Sequence, residues 1–156
     1  MSDLAEMARP AVDELLQRNE DELYMELGAR LQAMGRDPVL SSSFAPQIDT
    51  GLESFGAMED FKEFGKRFFE RVNVHAYELV CGTDSTNAGE RQKVVDAFGV
   101  GKEAVAATMA GLLVVQLGLA PAIAAVVAAI VISVFFRSAH EAMCKVWKEH
   151  LPQSPE

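Results

Sequence analysis

The chain has 156 residues, a formal net charge of −9 and two cysteines. That length suits one domain with a substantial core, hiding about 70% of its unfolded surface. The acidic balance, with no basic stripe and no interleaving of basic and aromatic residues, argues against nucleic acid as a partner. Two cysteines in a chain of this size do not make a disulfide framework, so a reduced, cytoplasmic setting is expected. The opening Met1–Glu6 is acidic, lacks an apolar run and does not read as a secretory signal.

The charge is unevenly placed. Residues 1–100 hold 19 acids and 10 bases, whereas residues 101–156 hold four of each. Between Ala104 and Phe136 no side chain is charged.

In chain order, a first helix is expected to begin at Ser2 or at Pro10, with Val12, Leu15 and Leu16 as its stripe. Asn19 followed by Glu22 forms a capping-box pattern. Leu23, Leu27, Leu31 and Met34 then repeat with the 3.6-residue period of a helix, which Gly35 and Pro38 should stop. Residues 36–57 form a connector unusually long for a compact domain. It carries Val39, Leu40, Phe44, Ile48, Leu52 and Phe55, too many large apolar groups for a solvated linker. We expect an ordered strap with one short helix, lying over the core.

Residues 59–81 give the strongest amphipathic helix. Phe61, Phe64, Phe68, Val72 and Leu79 fall on one side, with Phe69 and Val80 alongside, and Lys62, Glu63, Lys66, Arg67, Glu70 and Arg71 on the other. Gly82 should end it. A turn at 83–87, with Ser85 or Thr86 as a cap, leads to a short helix over about residues 88–98 that places Val94, Val95 and Phe98 inward. A helical hairpin then occupies 102–150. Its first arm starts near Lys102, Gly118–Pro121 break it, and the second arm runs from Pro121 toward His150. After Arg137 that arm turns amphipathic, with Met143, Val146, Trp147 and Leu151 among charged neighbours. No segment reads as a strand, and the alanine content of 122–135 favours helix there.

The expected fold is therefore all-α, a single domain over 1–156. It is a helical bundle of five to seven helices around a very apolar C-terminal hairpin. Its parts are N-terminal helices at 2–35, the connector at 36–57, amphipathic helices at 59–99 and the hairpin at 102–150.

The hairpin is the main functional lead, with Lys102, Gln116, Pro121, Ala125 and Arg137 as its candidate residues. A helix apolar on every side needs cover on every side. The cover is either protein, making the hairpin the centre of a bundle, or lipid. Each arm offers 16 uncharged residues, short of the ~20 of a spanning helix. Lys102 and Arg137 bracket the open end, and Gln116 requires a hydrogen-bond partner if buried. Any hairpin surface left uncovered would call for an oligomer.

The residues that could carry chemistry form no complete set. His140-Glu141-Ala142-Met143-Cys144 has the form H-E-x-x-C, so His140 and Cys144 share a helix face and could touch one metal. No third ligand lies nearby: His150 is ten residues on and His75 is remote. Cys144 is expected to face the core, with His140 at its edge. Cys81 and His75, six residues apart, point to different faces and lack an orienting group. Phe98–Glu103 departs from a phosphate-binding loop at Asp96 and Glu103 and reads as a helix-ending turn. No cofactor or metal is expected. The function that follows is a non-enzymatic protein–protein interaction module, acting on a protein partner or on a second copy of itself. The alternative is a membrane-inserting or membrane-anchored protein, toxin-like or pore-forming, that uses residues 104–136.

Overall fold

The computed structural model describes residues 2–46, 55–82 and 88–151. Seven α-helices and one 3-10 turn account for the described secondary structure, as the sequence led us to expect. They are α1 (Ser2–Leu15), α2 (Glu20–Arg36), the turn Pro38–Ser42, α3 (Phe55–Cys81), α4 (Ala88–Ala97), α5 (Lys102–Leu117), α6 (Pro121–Phe135) and α7 (His140–Glu149).

Helix α6 occupies the centre. Every residue from Ala122 to Ile132 is buried, and the helix contacts α1, α2, α5, α7 and the 3-10 turn. Pro121 opens it at the first position, where no N–H is required. Gly118, at φ 71°, ends α5 in the left-handed conformation that glycine adopts without strain, and so reverses the chain into α6. Helix α6 is thus clothed by its own chain, and the condition that would have forced an oligomer is not met along it.

Helix α2 forms a middle layer. Its capping box is complete: Asn19 accepts from the Glu22 amide (2.8 Å) and Glu22 from the Asn19 amide (3.1 Å). Leu23 and Leu27 are buried as the period requires, but Tyr24, Gly28, Ala29 and Arg30 are buried too. The second face is covered by α3, which packs chiefly on α2 rather than on the hairpin. The backbones meet there directly. A Cβ on Gly28 would land on the Phe61 carbonyl oxygen, and one on Gly65 on the Tyr24 carbonyl oxygen. This contact also rotates α3 relative to the expected stripe. Phe61, Phe69, Leu79 and Val80 are buried as expected and Gly65, Asn73 and Ala76 turn inward beside them, whereas Phe68 and Val72 are half-buried and Phe64 is 42% exposed.

Of the two expected starts for the first helix, the structure takes the earlier. Helix α1 starts at Ser2 and carries Pro10 in its interior, because Ala8, Ala11, Val12 and Leu15 bury one face, mainly against α5. Helix α3 starts at Phe55, four residues early. Within the connector Phe44 is buried, but Val39 is 78% exposed and does not cover the core. Ile48, Leu52, Ser85 and Thr86 lie outside the described residues. The second hairpin arm does not run on to His150: α6 and α7 meet at 93°, so the amphipathic end is a separate helix. Phe136 stacks on Phe98 (centroids 5.5 Å) at the bend, and Phe135 stacks on Trp147 of the returning helix (5.7 Å).

One cation is buried in this core. The Arg30 guanidinium, 4% exposed, pairs with Glu26 (2.7 Å) and donates to the carbonyls of Phe44 and Ala122 (2.8 Å each). It thereby ties α2 to the connector and to the first turn of α6. Burial alone would raise the Glu26 carboxyl, but the charge and hydrogen bonds of Arg30, with further help from Arg18, outweigh that and hold it below its ordinary value. A depressed carboxylate stabilises the fold above its unfolded pKa of about 4.3, and the contribution is lost as the pH falls through the folded value.

Gly28→Ala or Gly65→Ala should lower stability by about 2 kcal/mol or more in urea unfolding, despite alanine's better helix propensity. Gly35→Ala, where an added Cβ meets nothing within 4 Å, should raise it by roughly 0.5 kcal/mol. Glu26→Gln should cost on the order of 3 kcal/mol at neutral pH by leaving Arg30 buried without its partner. It should also remove part of the stability loss that acid titration of the parent protein records below about pH 4.

Candidate functional site

The last turn of α3 is drawn into the core by Ala76, Leu79 and Val80. Its final carbonyls, at Glu78 and Leu79, accept from the Arg91 guanidinium (3.2 and 3.3 Å). Cys81 is therefore held at a helix end that is fixed on both sides. Helix α7 arrives from the opposite direction after the bend at 136–139. Met143 and Trp147 are fully buried and set its rotation. Trp147 donates to the Asn73 side-chain oxygen (2.8 Å) and meets Tyr77 edge-on (5.4 Å), which fastens α7 along α3. With 143 and 147 inward, His140 and Cys144 fall one above the other on the half-buried flank that faces Cys81.

The sulfurs of Cys81 and Cys144 are bonded, with Cα atoms 5.7 Å apart and a sequence separation of 63. This corrects the expectation that the cysteines stay separate and that Cys144 simply fills the core. The His140 ring sits against the same pair: Nε2 lies 3.5 Å from Cys144 Sγ and 2.9 Å from the Val80 carbonyl oxygen. Phe98 packs edge-on against that ring (5.8 Å). One ligand atom from each of Cys81, His140 and Cys144 lies within 4.8 Å of the others.

So the third group missing beside H-E-x-x-C is Cys81 from the end of α3. His75 is exposed and takes no part. His150 is exposed too, its Nδ1 engaged with the Val146 carbonyl (2.9 Å), and Glu141 faces solvent rather than the cluster. The i,i+4 spacing of His140 and Cys144 was the only sequence signal for the site, and nothing in the chain pointed to Cys81 across 63 residues.

The hairpin candidates are scattered. Lys102 and Arg137 are exposed at the open end, where Arg137 donates to the Phe136 carbonyl (2.7 Å). Ala125 is fully buried in the centre of α6. Gln116 is exposed at the tip, so solvent meets its hydrogen-bonding needs, and Pro121 is half-buried beside it. The segment 98–103 is a helix-ending turn, with the Val100 and Gly101 amides donating to the Ala97 carbonyl. Comparison with protein-family models, curated proteins and solved structures finds no match.

The cross-link closes a long loop and therefore constrains the unfolded chain strongly. With metal chelator present, reduction with a phosphine, or Cys81→Ser, should lower unfolding stability by up to about 4 kcal/mol. The urea midpoint of the two reduced or mutant samples should coincide. A midpoint indifferent to reductant would mean that the bond adds nothing to the fold.

Proposed function

We propose that this protein is a non-enzymatic helical interaction module and that it presents the tip of the α5–α6 hairpin to a protein partner or to a second copy of itself. The observation that carries this reading is where the uncharged run reaches the surface. Along α6 it is buried. At the tip Val115 is 60% exposed, Gln116 and Gly118 are exposed, and Leu117, Leu119, Ala120 and Pro121 are half-buried. On a chain whose first hundred residues carry the excess acid, this is an apolar, charge-free contact face.

The membrane reading draws on the same tip. Against it stands length: α5 and α6 span about 24 and 22 Å, short of the ~30 Å hydrocarbon thickness. No single helix among the described residues is long and apolar enough to cross a membrane, and the pair α6 and α7 that passes together is bent by 93°. Insertion would also strip α6 of the contacts that now surround it.

A charge at Ala125 or Val127 does not separate the two readings, because both side chains are fully buried and either substitution would break the core of the soluble protein. Val115→Lys does separate them, since an exposed substitution changes stability by no more than about 0.5 kcal/mol. Analytical ultracentrifugation should record concentration-dependent association of the parent chain, weakened at least tenfold in Val115→Lys. Liposome flotation should leave both proteins in the soluble fraction. Flotation of the parent with lipid, lost in the variant, would replace the interaction reading with the membrane one.

A further inference from the structure

We propose that Cys81, Cys144 and His140 form a redox-gated site for a thiophilic divalent metal, of which zinc is the natural occupant: the reduced cluster binds the ion and formation of the disulfide expels it. The proposal is independent of the interaction reading.

The donor set is two sulfurs and one imidazole, the kind that zinc takes in sites with three protein ligands and one open position. With Zn–S of about 2.3 Å and Zn–N of about 2.0 Å, two ligands of a tetrahedral ion lie roughly 3.5 Å apart. His140 Nε2 and Cys144 Sγ are already 3.5 Å apart. The remaining change is small. Reduction releases the two sulfurs, which open to about 3.8 Å around the ion by side-chain rotation, on Cα atoms that stand 5.7 Å apart. The backbone that carries them is fixed by contacts that do not involve sulfur: Trp147 with Asn73, Arg91 on the end of α3, and Phe98 on the His140 ring. All three ligands are half-buried, so the inner side is dry and the outer side supplies water as the fourth ligand.

The chemistry balances. A dithiol reductant attacks the disulfide, takes its place as the oxidised partner and leaves two thiols on the protein. Zinc displaces two protons from those thiols and takes the Nε2 lone pair of His140. The imidazole proton moves to Nδ1, and the Nε2 contact with the Val80 carbonyl (2.9 Å) is given up. In the reverse direction a small-molecule disulfide accepts two electrons from the thiolates, the Cys81–Cys144 bond forms, two small thiolates leave and the ion is released to water. In a reducing cytoplasm the metal form prevails, and in an oxidising compartment the disulfide prevails.

The test uses the full-length chain, reduced with a phosphine, freed of reductant without oxygen and titrated with cobalt(II) and then zinc(II). One equivalent of cobalt per chain should give thiolate-to-metal charge-transfer absorption and the strong visible bands of a four-coordinate ion, both erased by zinc. His140→Gln should weaken zinc binding at least tenfold, and Cys144→Ser should abolish the charge-transfer band. Adding oxidised glutathione should release the zinc to a chromogenic indicator. Should a variant lose its helix signal in circular dichroism, the parent protein alone still decides the matter: zinc should protect both thiols from alkylation, as read by mass spectrometry. A reduced, folded protein that takes up no cobalt or zinc, or whose two thiols alkylate equally fast with and without zinc, would overturn the proposal.

Discussion

A helix with no polar side sets the terms for the rest of this molecule. Residues 121–135 present alanine, valine, isoleucine and phenylalanine around almost the whole circumference of α6, with Ser133 exposed near the end. Such a helix is stable in water only inside a shell. In a chain of this length the shell must be assembled from short pieces, and each has a visible role. Helix α5 lies alongside because Gly118 turns the chain tightly, α1 crosses both arms, α2 covers another side, and α7 folds back over the far end. The alanines of α6 let these neighbours approach closely, which dispersion in a densely packed interior rewards.

Close approach recurs one layer out. The Gly28–Gly65 crossing brings the backbones of α2 and α3 into contact, so α3 covers α2 instead of competing for a place on α6. The polar cost of building so deep a core is concentrated at Arg30. Its position is tolerable because one carboxylate and two carbonyls meet it with short hydrogen bonds. Those carbonyls belong to the connector and to α6, so this ionic group also fixes where the connector lies.

The sulfur–imidazole cluster sits where α3 and α7 come together, away from the apolar tip of the hairpin. The same contacts that clamp α7 onto α3 hold the cluster in register: a tryptophan–asparagine hydrogen bond, an aromatic edge contact and an arginine on the helix end. Under the redox proposal the backbone supported in this way stays in place, and only the sulfur and imidazole side chains move between the two oxidation states. The tip is held by the hairpin turn and by Arg30 on the first turn of α6. The two regions can therefore serve separate ends: the tip as a contact face and the cluster as a redox-dependent element.

The sequence by itself determined the helical class, the apolar hairpin, the capping box at Asn19 and the glycine and proline punctuation. These are local matters, fixed by the period of apolar residues and by which side chains satisfy a helix terminus. It also showed that His140 and Cys144 share a face, because four residues make about one helical turn. Only the tertiary structure decided the rest. The phase of α3 was set by two glycines that a hydrophobicity pattern ignores, and the break at 136–139 by aromatic stacking with partners far along the chain. The burial of Arg30 came from carbonyls 14 and 92 residues away. The pairing of Cys81 with Cys144 required α3 and α7 to be docked side by side, a long-range consequence of covering α6 that no local spacing encodes.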